Sequence, residues 1–193
     1  YKLNQSIKQN FLLRINVIIM PNYLVIGGIS SGKSSFAEKI ATDVHKVNTK
    51  SKIYYLATAP ICDDEMYEKI RTHQKRRPSD WKTIEEQTDI VSRITQIEET
   101  DKIVLIECLT TWLSNLIFHK ADLDYNTEKL INFLQMNKEA TIILVANDLG
   151  ESVISSNKET REFQKYNGKI NQKIAKICES VYKVTAGIGV RIK

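Results

Sequence analysis

Residues 23–34 read YLVIGGISSGKS: an apolar run, Tyr23-Leu24-Val25-Ile26, and then the loop Gly27-Gly28-Ile29-Ser30-Ser31-Gly32-Lys33-Ser34. The loop fits the pattern GxxxxGK[ST]. Gly27 and Gly32 permit backbone conformations and close approaches that a Cβ would forbid. Successive amides can then turn inward, at the start of a helix whose dipole favours anions. In that arrangement Lys33 supplies charge to the β- and γ-phosphates of a nucleotide, and the Ser34 hydroxyl ligates Mg2+. The surroundings suit it. The run before the loop reads as a buried strand, and Phe36, Ala37, Ile40, Ala41 and Val44 recur after it at helical spacing. A merely glycine-rich turn would not need the lysine, the serine and both flanking elements together.

The same alternation continues outward. Apolar runs at 53–57, 103–106, 141–146 and 181–184 predict further strands, near-continuous as in a parallel sheet covered on both faces. Helical patterns predict helices over 63–75, 87–98, 110–119, 126–137 and 159–179, the last with Phe163, Tyr166, Ile170, Ile174 and Ile177 on one stripe. Gly187 to Lys193 read as a turn into a short edge strand. The expected fold is α/β and P-loop NTPase-like, a mostly parallel central sheet with helices on both faces. Residues 20–193 are expected to form one nucleotide-binding domain.

Composition narrows the choice. The 193 residues carry a net charge of +5, but Lys2, Lys8 and Arg14 contribute three of those charges before residue 20. The rest is nearly balanced, so there is no nucleic-acid footprint. No apolar run approaches the ~20 residues that span a bilayer. Cys62, Cys108 and Cys178 are scattered, as are the three histidines, so neither a zinc site nor a disulfide framework is indicated. A reducing, cytoplasmic setting is expected. Met20 stands directly before the first strand, and residues 1–19 are read as an upstream or non-native extension. A signal peptide is the competing reading, and its apolar part would be broken by Arg14 and Asn16.

A phosphate loop needs an acidic group for the metal, commonly at the end of a neighbouring strand. Glu107 follows the 103–106 run and is the stronger candidate; Asp148, after the 141–146 run, is the other. His73 draws attention through its neighbours. Lys75, Arg76 and Arg77 follow it, a group of cations suited to phosphates. Those cations also favour a neutral, nucleophilic imidazole, which beside a triphosphate could form a phosphoramidate. The same basic residues would equally suit the C-terminal end of a solvated helix. His45 and His119 lack such neighbours.

With these pieces in hand the chain resembles the bifunctional adenosylcobinamide kinase / adenosylcobinamide-phosphate guanylyltransferase family of cobalamin biosynthesis. The likeness runs from about Tyr23 to Lys193. It rests on LVIGGISSGKSSFAE, on the string DDEMYEKIRTHQKRRPSDW, on VLIECLTTW and on the terminal GIGVRIK. The resemblance implies three steps. The aminopropanol hydroxyl of adenosylcobinamide is phosphorylated with ATP or GTP. GTP then guanylylates an enzyme histidine, which maps onto His73. The GMP finally passes to the cobinamide phosphate, giving adenosylcobinamide-GDP. It further implies nucleotide contacts at Gly27 to Ser34, at Ala57, Thr58 and Ala59, at Gln74, Lys75, Arg76 and Arg77, and at Glu85 and Glu107. Mg2+ would sit at Ser34 and Glu107. Homo-oligomers, trimers with sites between subunits, are implied as well. The chain departs from the family at Ile29-Ser30, where Ala-Arg is usual, which costs one cation near the phosphates and leaves open which nucleotide feeds the kinase step. The alternatives are a simple P-loop small-metabolite kinase without guanylylation and a GTP-binding switch. The first predicts no covalent intermediate and the second no turnover.

Overall fold

The run Tyr23–Ile26 can be apolar at every position because both faces of its strand are covered. Leu24 and Val25 point to opposite sides of the sheet, and both are fully buried. In the structure, a computed structural model describing residues 20–60, 71, 78–150 and 155–193, this run is β1 (Asn22–Gly27). It leads through the loop into α1 (Lys33–Val47). There follow β2 (Ile53–Ala57), β3 (Lys82–Glu85), α2 (Ile90–Thr95) and β4 (Lys102–Glu107). Then come α3 (Leu109–Phe118), α4 (Leu123–Met136), β5 (Ala140–Asn147), α5 (Lys158–Ile177), β6 (Ser180–Thr185) and β7 (Ile188–Arg191).

The seven strands form one sheet in the order β3-β2-β4-β5-β1-β6-β7. All pairings are parallel except β6 with β7. One face packs Leu24, Leu56, Val104, Ile106 and Leu144 against α2 to α5. The other packs Val25, Tyr55, Leu105, Ile143 and Val145 under α1, which comes close because Ala37 and Ala41 present small side chains. Trp81, just before β3, belongs to this second core. No helix among the described residues is long and apolar enough to cross a membrane.

Two elements differ most from the sequence expectation. β3 was not anticipated: KTIE offers one apolar residue in a four-residue edge strand, too little for a period-two signal. Its strand form comes from pairing with β2, aided by Lys82, whose ammonium donates to the Tyr54 hydroxyl (3.3 Å) and to Glu99 (3.1 Å). The helix expected over 87–98 is only Ile90–Thr95. Glu86 accepts from the amides of Thr88 and Asp89 (2.8 and 2.9 Å), and Asp89 accepts from Ser92 (3.2 Å), so carboxylates hold the residues ahead of the helix in a turn. The helix expected over 63–75 falls on residues that, apart from Arg71, lie outside those described.

Candidate functional site

The loop between β1 and α1 is shaped by close approach. A Cβ on Gly27 would stand 2.5 Å from the carbonyl oxygen of Val184 and 2.6 Å from Ser31 Oγ. Gly32 has φ +90°, the left-handed region that glycine enters freely. The Ser31 amide donates back to Gly28 O at 3.2 Å, and the Phe36 amide donates to Gly32 O at 3.0 Å, opening α1. No side chain caps that helix. Its first amides therefore meet the loop directly, where an anion would complete them. Lys33 is 8% exposed, with Nζ donating to Gly28 O at 3.0 Å across the loop. Ser31 Oγ is buried without a hydrogen-bond partner, whereas Ile29 at the tip is 78% exposed.

Three neighbouring strand ends stand level with one another. Ala57 is in register with Glu107 on one side and Glu85 on the other. In-register parallel neighbours project to the same face. For these three that is the α1 face, since Tyr55 and Leu105 two residues back lie in its core. Ser34, in the first turn of α1, donates its hydroxyl to Glu107 Oε1 at 2.9 Å. Asp148, the other strand-end acid, is placed differently. Its amide donates to Gly27 O (2.9 Å), and its carboxylate lies 3.7 Å from Lys183 Nζ. The structure thus brings Glu107 to the serine of the loop and gives Asp148 to a lysine of β6. Among the described residues no three His, Cys, Asp or Glu side chains gather as metal ligands. Ser34 and Glu107 bring two oxygen donors together beside the loop.

Thr58 has its side chain turned inward and is fully buried. Its hydroxyl donates to Cys108 O (2.9 Å) and accepts from the Cys108 amide (2.7 Å), while its own amide donates to Glu107 O (3.0 Å). It therefore pins the end of β4, and with it Glu107, against the end of β2. Burial, reinforced by the Glu107 charge, pushes the Cys108 thiol above its ordinary range. Two residues that sequence reasoning passed over hold the next segment. Asn115 Nδ2 donates to Thr58 O (2.7 Å) and Gln87 O (3.1 Å), and Trp112 Nε1 donates to Thr88 O (2.6 Å). Both sit one turn apart on α3 and bond only backbone carbonyls distant in sequence, so no local pattern could have marked them.

His73, Gln74, Lys75, Arg76 and Arg77 lie outside the described residues. The connection that carries them leaves the described structure at Pro60, just past the end of β2. It re-enters at Pro78, ahead of Trp81 in the α1-side core. His45 is bonded to Ser51 Oγ (3.1 Å), and His119 stacks edge-on against Phe118, both away from the strand ends just described.

Residues 23–192 match the family described as cobinamide kinase / cobinamide phosphate guanyltransferase. The chain is 33% identical over 184 residues to the bifunctional adenosylcobalamin biosynthesis protein CobU of Escherichia coli (strain K12), covering 88% of this chain and 98% of that protein. It is 34% identical over 185 residues to CobU of Salmonella typhimurium, with the same two coverages. Identity to CobP of Pseudomonas aeruginosa is 34% over 172 residues, covering 88% and 96%. The crystal structure of the flagellar accessory protein FlaH from Methanocaldococcus jannaschii has a TM-score of 0.47 with this chain at 12% identity, covering 91% of this chain and 76% of that one. On the family match and the full-length relatives, the chain belongs to the cobinamide kinase / cobinamide phosphate guanyltransferase family.

Proposed function

We propose that this chain phosphorylates adenosylcobinamide with ATP or GTP and then, through a guanylyl-histidine at His73, transfers GMP from GTP to adenosylcobinamide phosphate. The observation that carries the reading is the pairing of Ser34 with Glu107 at 2.9 Å, beside a glycine-shaped loop that ends in uncapped helix amides. That is a phosphate cradle with two hard oxygen donors next to it. Ser34 and Glu107 suit Mg2+, which takes one or two protein oxygens and draws its remaining ligands from phosphates and water. When bound, the metal neutralises charge on the phosphate oxygens.

The remaining roles belong to the chain. In the kinase step the acceptor hydroxyl oxygen bonds to the γ-phosphorus and the bond to the β-phosphate oxygen breaks. Lys33 and the loop amides hold the charge that accumulates on the transferring group and the leaving diphosphate. In the guanylyl step an imidazole nitrogen of His73 bonds to the α-phosphorus and pyrophosphate leaves. The phosphate of the corrinoid substrate then displaces the histidine and takes the GMP. Arg76 and Arg77 hold phosphates. Glu85 meets the guanine or ribose, a role supported by its register beside Ala57. The connection carrying His73 starts beside Ala57 and Thr58, which supports its reach to these strand ends. Subunits assemble as homo-oligomers.

Intact-mass measurement after incubation with GTP and Mg2+ tests the proposal. One added GMP per chain is expected, stable to alkali, released by acid and absent in His73→Ala. Kinase turnover should survive that substitution, while Lys33→Ala should impair both steps. Uptake of GMP by His73→Ala would refute the histidine assignment.

A further inference from the structure

Within that nucleotide reading, we infer that the β6–β7 turn is part of the phosphate loop, with Gly187 acting as a positioning residue for the Ser31–Gly32 peptide. The turn itself is tight. Thr185 pairs with Ile188, leaving Ala186 and Gly187 as a two-residue connection, both at positive φ (50° and 79°) as such hairpins require.

Three contacts join this hairpin to the loop. The Gly187 amide donates to Ser31 O at 2.8 Å. A Cβ on Gly32 would come within 3.0 Å of the Gly187 Cα, so the two backbones come this close because residue 32 is glycine. At the other end of the loop, the Val184 carbonyl fills the space that a Gly27 side chain would need. A fourth contact fixes the helix that follows. Gly189 lies flat beneath the Phe36 ring, which would collide with any Cβ there, and Phe36 also packs on Tyr182 with ring centroids 5.2 Å apart.

The consequence follows from peptide geometry. In a planar trans peptide the C=O and N–H point in opposite directions. Holding Ser31 O toward the hairpin therefore turns the Gly32 N–H the other way, away from the hairpin and toward the inner side of the loop where phosphate oxygens would sit. Without the Gly187 donor this peptide plane is free to rotate, and one donor of the cradle is no longer set in advance. Nucleotide affinity thus depends on a residue that touches no nucleotide.

The test is calorimetric titration of the full chain with Mg·GTP and Mg·ATP, well below the thermal midpoint of each variant. Gly187→Pro removes the donor and, with φ locked at about −65°, also opens the positive-φ turn, so it should weaken binding by at least the roughly fivefold to tenfold that one hydrogen bond is worth. Gly187→Asn, which keeps the N–H and tolerates positive φ, should bind like the parent. If Gly187→Pro does not fold, Gly189→Ala decides. It should drive the hairpin off Phe36 and weaken binding, and Phe36→Leu in the same chain should restore it. Folded variants that lose thermal stability yet keep the parent affinity would overturn the inference and reduce the hairpin to scaffolding. A parent chain that binds neither nucleotide would instead overturn the nucleotide reading on which it rests.

Discussion

Asn115 offers a quantitative check on how the site is held. Its side chain is 7% exposed and gives both Nδ2 hydrogens to carbonyls, Thr58 O and Gln87 O. Asn115→Leu keeps the volume and removes both donors. Left without a donor, the buried Thr58 carbonyl costs about 1–3 kcal/mol, and the partly buried Gln87 carbonyl about 1 kcal/mol. The added apolar surface returns about 1–2 kcal/mol. A net loss of about 0–3 kcal/mol, centred near ~1.5 kcal/mol, is expected, equivalent at the centre to roughly 3–6 °C in thermal midpoint for a chain of this size. Asn115→Asp should cost more, because it sets a carboxylate oxygen against two carbonyl oxygens. Urea unfolding followed by the fluorescence of Trp81 and Trp112, both buried, reads the change directly. The segments that Asn115 joins flank Ala57–Ala59 and Glu85, so nucleotide binding by the folded variants should weaken too. A stability change below about 0.5 kcal/mol for both variants would refute the bracket, since ordinary surface substitutions fall within that range.

Three further outcomes are expected. Gly27→Ala places a methyl 2.5 Å from the backbone oxygen of Val184, which cannot swing aside, and should cost about 1–3 kcal/mol on thermal unfolding. Hydrogen bonds from the Tyr54 hydroxyl and then Lys82 hold the Glu99 carboxyl well below the usual carboxylate range. The stability this contributes is present above the unfolded value near pH ~4.3 and is lost as the pH falls below it, so Glu99→Gln should flatten the acid limb of a urea-midpoint series. Burial leaves Cys178 1% exposed and pushes its thiol up to about 12, so iodoacetamide at pH 8 should label it only after unfolding.

Much of the scaffold was legible because its strands are covered on both sides. The runs at 23–26, 53–57, 103–106, 141–146 and 181–184 all became strands to within two residues, and the turn at Gly187 did lead into an edge strand. β3 was not legible, since a short edge strand owes its form to its neighbour rather than to its own residues. Helix starts were less legible than helix bodies. α4 begins three residues ahead of expectation because Asp122 caps it through the Tyr125 amide (2.9 Å), a bond that apolar periodicity does not register. At the site, the loop was readable because its chemistry is written in consecutive residues. Position at a strand end already ranked Glu107 above Asp148, but their partners were not legible: Glu107 accepts from Ser34 on the α1 face, and Asp148 lies against Lys183. Trp112 and Asn115 were invisible because their partners are main-chain atoms on other elements, and Thr58, named only through the resemblance as a nucleotide contact, has its hydroxyl on the main chain of Cys108 for the same reason.

The place of the β6–β7 hairpin along the chain has a consequence for how the protein is made. Gly27 and Gly187 are about 160 residues apart. At ~5–20 residues per second, a ribosome delivers Gly187 about 8–30 s after Gly27. Throughout that interval β1, the strand that bears the loop, lacks both of its eventual neighbours or has only β5. A nascent chain therefore completes its loop late, and an mRNA broken before the codon for Gly187 yields a product without that hairpin turn.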